Sequence, residues 1–320
     1  HFSPRPSTIP YPEGLDKYFC DSNYRPRAPA SWFDGGVRYF LGTAQLGRAY
    51  GVMSQDRPQG LSEEAGRVLQ TAALLGFEAI DTAPVYGDAE VEIGKAKLSL
   101  PVYTKLDSRL SPADSLSRSL TQLQRASVDA IFLHEEFTLN PAQEGVLEEL
   151  KSLQGEQAFK IGASIYSETE FHLANECASI DVIQLPFNAL DRRFSREFLS
   201  KHLRPGKEII GRSVFLQGLL LIRGQTLPES VRHLKPWIIE IQAVAADFGL
   251  SPLQASLSFA AANDAISALV LGANISAELR EIWTSRPESD FSALVATLNS
   301  LDYPPWPAAD PRTWKRVPQP

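Results

Sequence analysis

The sequence predicts a closed barrel of eight parallel strands, each followed by a helix, known as a (β/α)8 or TIM barrel. Short apolar runs, typical of buried strands, alternate with longer segments of helical period through the centre of the chain. About eight such units can be traced, which favours a closed barrel over an open sheet. No G-x-G-x-x-G follows the first strand, which argues against a Rossmann fold. A length of 320 residues suits one such barrel.

Three regions are predicted along the chain. Residues 1–36 are rich in Pro, Tyr and Arg and lack helical or strand period, so we expect an irregular extension. Residues 37–300 carry the alternating pattern and should form the barrel as a single catalytic domain. Residues 301–320 form a Pro-rich tail with Trp306 and Trp314, in which no regular element is expected.

The first units follow in order from Val37. The segment VRYFLGTAQLG is predicted to be the first strand, and LSEEAGRVLQTAALLG the first long helix, with Ser62 as its N-cap and Gly76 as its stop. A short apolar run then ends at Asp81, and the helix-compatible segment DAEVEIGKAKL follows Gly87.

The remaining units continue the alternation. VYTK is predicted as a strand, SPADSLSRSLTQLQRAS as a helix opened by Ser111 and Pro112, and VDAIFLHEE as a strand. The later predicted strands are AFKIGASIYS, IDVIQLPFNAL, EIIGRSVFLQGLL and ISALVLGAN, and the later helices are PAQEGVLEELKSLQG, SETEFHLANECA, REFLSKHLRPG, ESVRHLKPWIIEIQAVAADFGL and SPLQASLSFAAAN. This order predicts a parallel sheet covered by helices.

Composition excludes several classes of function. Hydrophobic residues make up 43% and charged residues 22%, as in ordinary globular proteins, and the net charge of -7 is dispersed without a run of Lys or Arg. Nucleic acid is therefore not expected as a partner. No apolar stretch reaches the length of a membrane helix, and the N-terminus lacks a signal-like segment, so no membrane association is expected. Cys20 and Cys177 have no metal-ligand spacing, so we expect no disulfide or metal site and a cytoplasmic location.

Four reactive side chains follow predicted strands. Asp81 ends one strand, Tyr86 lies five residues later, Lys105 ends the strand VYTK, and His134 follows VDAIFL. A single tyrosine or lysine in a loop is more often structural. Four such groups in order at strand ends, however, argue for a site, because the carboxyl ends of barrel strands carry the active residues.

This combination can support reduction of a carbonyl group by hydride transfer. Tyr86 could donate the proton, Lys105 could lower the pKa of the phenol, and Asp81 could keep Lys105 charged and oriented. His134 could donate a hydrogen bond to the carbonyl oxygen. For His134 the competing interpretation is a structural histidine at the edge of the core.

The pattern D-x4-YG-x2-E-x2-IG, followed by TK and by a strand that ends in His, resembles the aldo-keto reductases. The resemblance covers about residues 37–290 and implies a catalytic tetrad of Asp81, Tyr86, Lys105 and His134. It also implies a nicotinamide cofactor and a small-molecule carbonyl substrate, an aldehyde or ketone that could derive from a sugar.

The same resemblance implies a set of cofactor contacts. They are Gly42, Thr43, Ser164, Gln184, Arg212, Ser213, Leu216, Gln217, Gly218, Gly272, Asn274 and Arg280. Arg212 stands where the family places an aromatic residue on the nicotinamide ring, and Ile165 replaces the Asn that follows the serine in the family motif. These departures resemble a less studied branch linked to sugar and polysaccharide metabolism.

The cofactor itself is left open between NADPH and NADH. Where NADPH-preferring members place Lys or Arg on the 2'-phosphate, this chain has Ala273 and Asn274. Arg280, one turn further along, could substitute in part.

The tail allows two interpretations. Trp306 and Trp314 could shape the substrate pocket and stack on a sugar or planar substrate, or they could only hold the tail on the barrel. Two functions other than reduction are also compatible with the sequence. One is a non-catalytic or weakly active cofactor-binding regulatory protein, and the other is an aldolase-type barrel that forms a Schiff base on Lys105. The oligomeric state is not predicted.

Overall fold

The computed structural model of the protein describes residues 36–48, 50–51, 61–134, 144–222, 227–287 and 290–314. The predicted extension, residues 1–36, lies outside this part of the chain except for Gly36, as do Cys20 and residues 315–320.

Eight parallel strands close into a barrel in sequence order, which confirms the predicted fold class. The strands are Arg38–Gly42 (β1), Ala79–Asp81 (β2), Val102–Lys105 (β3), Val128–Leu133 (β4), Ala158–Ser164 (β5), Val182–Pro186 (β6), Glu208–Arg212 (β7) and Ala268–Gly272 (β8). Closure is explicit at Gly42, which pairs with Asp81 of β2 on one side and with Gly272 of β8 on the other.

Helices connect the strands and surround the barrel. Within the described residues the α-helices are Ala44–Gly47 (α1), Leu61–Leu75 (α2), Ala89–Ala96 (α3), Pro112–Leu123 (α4), Glu144–Leu153 (α5), Glu168–Glu176 (α6), Arg196–His202 (α7), Lys235–Asp247 (α8), Pro252–Ala261 (α9), Ser276–Thr284 (α10) and Ser292–Ser300 (α11). Short 3-10 helices occur at Leu219–Leu221, Glu229–Leu234 and Pro311–Thr313. None of the helices in the described ranges is both long enough and apolar enough to cross a membrane.

Several local predictions are corrected. The first strand ends at Gly42, because the next residues form the single turn of α1. Ser62 is the second residue of α2 instead of its N-cap, and its hydroxyl donates a hydrogen bond to Glu92 at 2.7 Å. By contrast, Ser111 caps α4 as predicted and accepts the backbone N–H of Asp114. The tail is not wholly irregular, because it contains the 3-10 turn at Pro311–Thr313.

The inside of the barrel is filled by apolar side chains below its carboxyl end. Three large rings pack together: Tyr103 lies with its ring centroid 4.9 Å from that of Phe40 and 6.2 Å from that of Phe132. Ala79, Ala130, Val182, Ile210 and Ala268 complete this cluster. The barrel is therefore a packed core, not a pore, and a ligand can enter only at the carboxyl end.

Above this cluster lies one residue from each strand or its immediate end, a set that we call the mouth layer. Its members are Gly42, Asp81, Lys105, His134, Ser164, Gln184, Arg212 and Gly272. Each follows an interior residue of its strand by two positions, as Asp81 follows Ala79 and Lys105 follows Tyr103. Because side chains alternate along a strand, all eight positions face the barrel axis.

Candidate active site

A buried ion pair lies at the centre of the mouth layer. Lys105 is 1% exposed, and its Nζ donates to both carboxylate oxygens of Asp81, at 2.8 and 2.9 Å, and to the backbone oxygen of Thr82 at 3.0 Å. All three protons of the ammonium group are thus engaged. Burial lowers the pKa of Lys105, and the adjacent Asp81 carboxylate opposes that shift.

Asp81 is also held from the opposite side of the barrel. The side chain of Gln184 is fully buried, and its Nε2 donates to Asp81 Oδ1 at 2.7 Å. Because β2 and β6 are four strands apart in a closed barrel of eight, this hydrogen bond crosses the barrel axis. Ser164 donates in turn to Gln184 Oε1 at 3.4 Å. Gln184 therefore positions the carboxylate.

Tyr86 lies in the loop between β2 and α3. Lys105 Nζ is 5.4 Å from the centre of the phenol ring, and the guanidinium carbon of Arg48 is 5.5 Å from it. Burial raises the pKa of Tyr86 well above its ordinary value of 10.0, the charge of Asp81 raises it further, and Arg212 acts in the opposite direction. The net shift is therefore opposite to the lowering that was predicted from the charge of Lys105, because burial of the phenol is the largest effect on its pKa.

A close backbone contact fixes the Tyr86 loop. Gly47, the last residue of α1, approaches it so closely that a Cβ atom on Gly47 would lie 1.6 Å from the backbone oxygen of Tyr86. Gly87, at φ +64°, faces Gly47 in the same way. Only glycine allows this approach.

His134 faces the same cavity as the other three residues of the predicted tetrad. Burial lowers its pKa to about 3, and the positive charges of Lys105, Arg212 and Arg48 act in the same direction. The imidazole is therefore neutral near pH 7, with one ring N–H that can serve as a hydrogen-bond donor.

One cavity of about 1030 Å³ opens at the carboxyl end of the barrel. Fourteen of the residues singled out from the sequence line it: Gly42, Thr43, Asp81, Tyr86, Lys105, His134, Ser164, Arg212, Ser213, Gln217, Gly218, Gly272, Asn274 and Trp314. The structure thus brings the four tetrad positions together with ten of the fourteen residues expected at the cofactor or substrate.

The other four expected residues do not line the cavity. Gln184 lies beneath it and bonds to Asp81, and Leu216 is turned into the core. Arg280 lies exposed on α10 and faces away from the cavity, so it supplies no cation there. Trp306 packs against the guanidinium group of Arg193, 3.4 Å from its ring centre, and so fits the interpretation that it holds the tail.

Residues 39–296 match the family model described as the aldo/keto reductase family. The chain belongs to the aldo/keto reductase family. This result confirms the resemblance and supports an oxidoreductase. A comparison with curated protein sequences finds no match.

Solved structures of other aldo/keto reductases share the fold. The chain is similar to a glycerol dehydrogenase from Gluconobacter oxydans, with a TM-score of 0.62 and 20% identity over 82% of this chain and 90% of that chain. It is also similar to an aldo-keto reductase from Bacillus halodurans in its holo form, with a TM-score of 0.65 and 20% identity over 82% of this chain and 91% of that chain.

The loop after β7 gives this aldo/keto reductase an unusual backbone beside the cavity. Ser213, Leu216 and Gln217 have φ values of 61°, 47° and 55°, and Gly218 follows at 84°. Non-glycine residues in this left-handed region are held there at a cost of about 1–3 kcal/mol each, and they cluster at ligand sites. The strain supports a binding role for this loop.

Negative charge surrounds the far end of the cavity, at α10. Glu278 and Glu281 line it, and Glu278 Oε2 accepts hydrogen bonds from the backbone N–H and the side-chain amide of Asn274, at 2.8 and 3.1 Å. Glu64 accepts the backbone N–H of Ser276, the first residue of α10, at 2.7 Å. Among the described lining residues between Val270 and Ile282, none is Lys or Arg.

Sequence reasoning missed several residues of the reductase site. Tyr166 follows Ser164 by two positions, so the alternation of the strand could have identified it. Arg48 and Arg312, which also line the cavity, could not have been identified in this way, because their segments show neither strand nor helical periodicity in the sequence. Tyr166 contacts two guanidinium groups, those of Arg212 and Arg312, whose carbons lie 4.0 and 3.6 Å from its ring centre.

No group of three or more His, Cys, Asp or Glu side chains with metal-binding geometry occurs in the described residues.

Proposed function

We propose that this aldo/keto reductase reduces the carbonyl group of an aldehyde or ketone with a nicotinamide cofactor, with Tyr86 as the proton donor. One observation carries the proposal: Tyr86 and His134 border one cavity together with the buried Asp81–Lys105 pair. An acid, a hydrogen-bond donor and a fixed positive charge are what a developing alkoxide requires.

Each residue of the tetrad then has one task. The bound nicotinamide would supply the hydride. Tyr86, protonated near pH 7, donates its phenolic proton to the carbonyl oxygen as negative charge develops there. The neutral His134 donates a ring N–H to the same oxygen and fixes its direction. Lys105, kept charged by Asp81, stabilises the phenolate that remains.

The described residues fit a dinucleotide cofactor. The cavity reaches from Tyr86 to α10, and its volume of about 1030 Å³ exceeds that of most small-ligand sites. Ser164 would hold the carboxamide of the nicotinamide, and the strained loop with Ser213, Gln217 and Gly218 would hold the pyrophosphate. Gln184 is left out of this set, because its amide nitrogen is engaged with Asp81.

The preferred cofactor is proposed to be NADH. If the adenosine end lies against α10, as the family resemblance implies, a 2'-phosphate would face Glu278 and Glu281, and the described lining residues between Val270 and Ile282 include no Lys or Arg. We expect Glu278→Gln to tighten NADPH binding about threefold to tenfold and to leave NADH binding almost unchanged, because it removes one repulsive charge. Fluorescence titration with both cofactors measures this.

Glu281→Gln and the double variant extend that test. Tighter NADPH binding in proportion to the charge removed supports the proposed orientation. Equal effects on NADH and NADPH would contradict it, since only NADPH carries the 2'-phosphate.

The decisive test of the reductase proposal is Tyr86→Phe. Removal of the hydroxyl should abolish aldehyde reduction, with a loss of at least about a hundredfold in kcat, because the proton donor is gone. Cofactor affinity, followed by quenching of tryptophan fluorescence, should persist within about twofold. Wild-type protein that binds cofactor but reduces no aldehyde in a broad panel would favour the regulatory alternative.

The Schiff-base alternative predicts a different result. A lysine that forms an imine must release a proton and attack the carbonyl carbon, whereas Lys105 has all three ammonium protons bound by Asp81 and Thr82. Borohydride treatment in the presence of aldehyde should leave Lys105 unmodified. A covalent adduct at Lys105, detected by mass spectrometry, would support the aldolase alternative and contradict the reductase proposal.

A further inference from the structure

Two arginines border the part of the cavity that holds the proposed proton donor. Arg48 lies between α1 and α2 with its guanidinium carbon 5.5 Å from the ring centre of Tyr86. Arg212 ends β7 in the mouth layer, the layer that also contains Lys105 and His134. Both arginines line the cavity.

Neither arginine is neutralised within the described part of the chain. No carboxylate there forms an ion pair with Arg48 or Arg212, whereas the other lining cations do have acidic partners: Lys105 pairs with Asp81, and Arg312 with Asp310. The Nε of Arg48 is buried and has no hydrogen-bond partner among the described residues. A buried donor without a partner is costly, unless a ligand supplies the acceptor.

Arg212 is held in place before any ligand binds. It donates to the backbone oxygen of Ile165 at 2.9 Å and to the hydroxyl of Ser213 at 3.3 Å, and its guanidinium group lies over the ring of Tyr166. These bonds use neutral acceptors and leave the positive charge unbalanced. A guanidinium group fixed in this way is well suited to bind carboxylate or phosphate oxygens.

The positive and negative side chains that line the cavity come from different elements. Arg48 lies beside Tyr86, and Arg212 belongs to the mouth layer with His134, whereas Glu278 and Glu281 line the cavity from α10. The two arginines occur in a chain whose net charge is -7. The effect is visible on His134, whose pKa is lowered by the charges of Arg48 and Arg212 in addition to burial and Lys105.

We propose that the substrate carries an anionic oxygen group, a carboxylate or a phosphate, in addition to its reacting carbonyl, and that Arg48 and Arg212 bind this group. The proposal rests on the reductase function, since it places the anion in the same part of the cavity as the carbonyl that Tyr86 protonates. An anion at this position gains two charge-assisted contacts that a neutral aldehyde lacks.

Matched aldehydes test the proposal. 4-Carboxybenzaldehyde and its neutral methyl ester, methyl 4-formylbenzoate, have the same reacting group, and glyceraldehyde 3-phosphate and glyceraldehyde form the corresponding phosphate pair. We expect wild-type kcat/KM to be higher for an anionic member by about tenfold or more, since that member gains charge-assisted contacts that its neutral partner lacks. Whichever pair shows the larger ratio identifies the anion.

Variants assign this preference to the arginines. Arg48→Gln and Arg212→Gln should each reduce the ratio of kcat/KM for the anionic aldehyde to kcat/KM for its neutral partner about tenfold or more. Arg196→Gln serves as the matched control, because Arg196 is an exposed arginine paired with Asp264 and does not line the cavity. Dissociation constants for NADH are measured in every variant. Unchanged cofactor binding supports the proposal, whereas weakened cofactor binding with an intact preference for anions would assign the arginines to the cofactor and overturn it.

A binding measurement separates this inference from the reductase proposal. Calorimetry with the product-like anion 4-(hydroxymethyl)benzoate and with its methyl ester needs no turnover. Selective binding of the anion that is lost in Arg48→Gln or Arg212→Gln supports the anion site, even if no aldehyde is reduced. Equal reduction and equal binding of the anionic and neutral members would overturn the anion site and leave the reductase proposal intact.

Discussion

At the scale of single residues, protonation states decide what the site can do. Burial keeps the imidazole of His134 neutral, with a pKa of about 3, and keeps the phenol of Tyr86 protonated well above pH 10. Carbonyl reduction requires both of these forms, because the phenol must give up a proton and the imidazole N–H must donate a hydrogen bond. These protonation states fit the proposed reduction over a wide pH range.

This leads to a prediction for the pH dependence of the reaction. Lowering the pH protonates His134 only near pH 3. Raising the pH ionises Tyr86 only above pH 10.0, the ordinary pKa of a tyrosine. For a neutral aldehyde, kcat/KM for reduction should stay within about twofold between roughly pH 5.5 and 9. Steady-state kinetics with saturating cofactor measures this. A fall on the acid side with an apparent pKa near 6.5 would contradict the neutral, buried histidine.

Residue identities were only partly predictable from the sequence. Asp81, Lys105 and His134 could be selected because each ends or follows an apolar run and has distinctive chemistry, and Tyr86 because it lies five residues after Asp81 in the family pattern. The contact of Gln184 with Asp81 could not, because it depends on two strands that meet across the barrel and are 103 positions apart in sequence. The predicted direction of the Tyr86 pKa shift was also wrong. The pKa is raised by burial of the phenol, and a sequence motif does not show how deeply a side chain is buried.

At the scale of the elements, the alternation of the strands carried most of the information. A period of two places one residue of each strand in the mouth layer. Asp81, Lys105 and His134 had been selected at predicted strand ends, and the other five members had been selected from the family resemblance. Arg48 and Arg312, which lie outside the strands and α-helices, were missed. Arg280 was expected at the cavity because of its distance along the chain, but α10 turns it to the outside.

The contact between α1 and the Tyr86 loop yields a prediction at this scale. Gly47→Ala would force a Cβ atom into the backbone of Tyr86, so the loop must move. We expect a loss of about 1–3 kcal/mol in the free energy of unfolding, as for other overpacked sites. Aldehyde kcat/KM should fall at least about tenfold, because the proposed proton donor is displaced. Chemical denaturation and steady-state kinetics measure the two effects.

Gly66→Ala is the matched control for that substitution. Gly66 lies inside α2, and a Cβ atom there would meet nothing within 4 Å. This variant should gain roughly 0.5–1 kcal/mol through higher helix propensity and should keep full activity. Equal behaviour of the two variants would show that the close approach of Gly47 does not position Tyr86.

At the scale of the whole molecule, the fold was the most predictable feature. Eight repeats of strand and helix leave few alternatives to a closed barrel, and the parallel order follows from the connections. The C-terminal segment was less predictable. Trp306 and Trp314 are close in sequence, yet Trp314 lines the cavity and Trp306 packs on Arg193. Such a division depends on tertiary contacts that composition does not encode.

The stability of the molecule in acid should depend on His134. Its folded-state pKa of about 3 lies below its ordinary value of 6.5, so the unfolded chain binds a proton more readily. The contribution of this pKa difference to the free energy of unfolding is fully present above pH 6.5 and is lost as the pH falls toward 3. Between pH 7.5 and 5, wild type should lose about 2 kcal/mol more of its free energy of unfolding than His134→Gln.

Urea denaturation at several pH values measures this difference. His233→Gln, which replaces an exposed histidine, is the control for the loss of a histidine as such. Parallel stability curves for wild type and His134→Gln would show that His134 is not held neutral by the fold.

The hydrogen bond between Gln184 and Asp81 spans the barrel above the apolar cluster. This hydrogen bond and the cluster below it close the bottom of the cavity. The strands alone therefore determine how deep a ligand can bind. Its width and charge are set by the connecting segments that carry Arg48, Tyr166 and Arg312. Substitutions in those segments could therefore change substrate specificity during evolution, while the barrel strands and the tetrad positions stay the same.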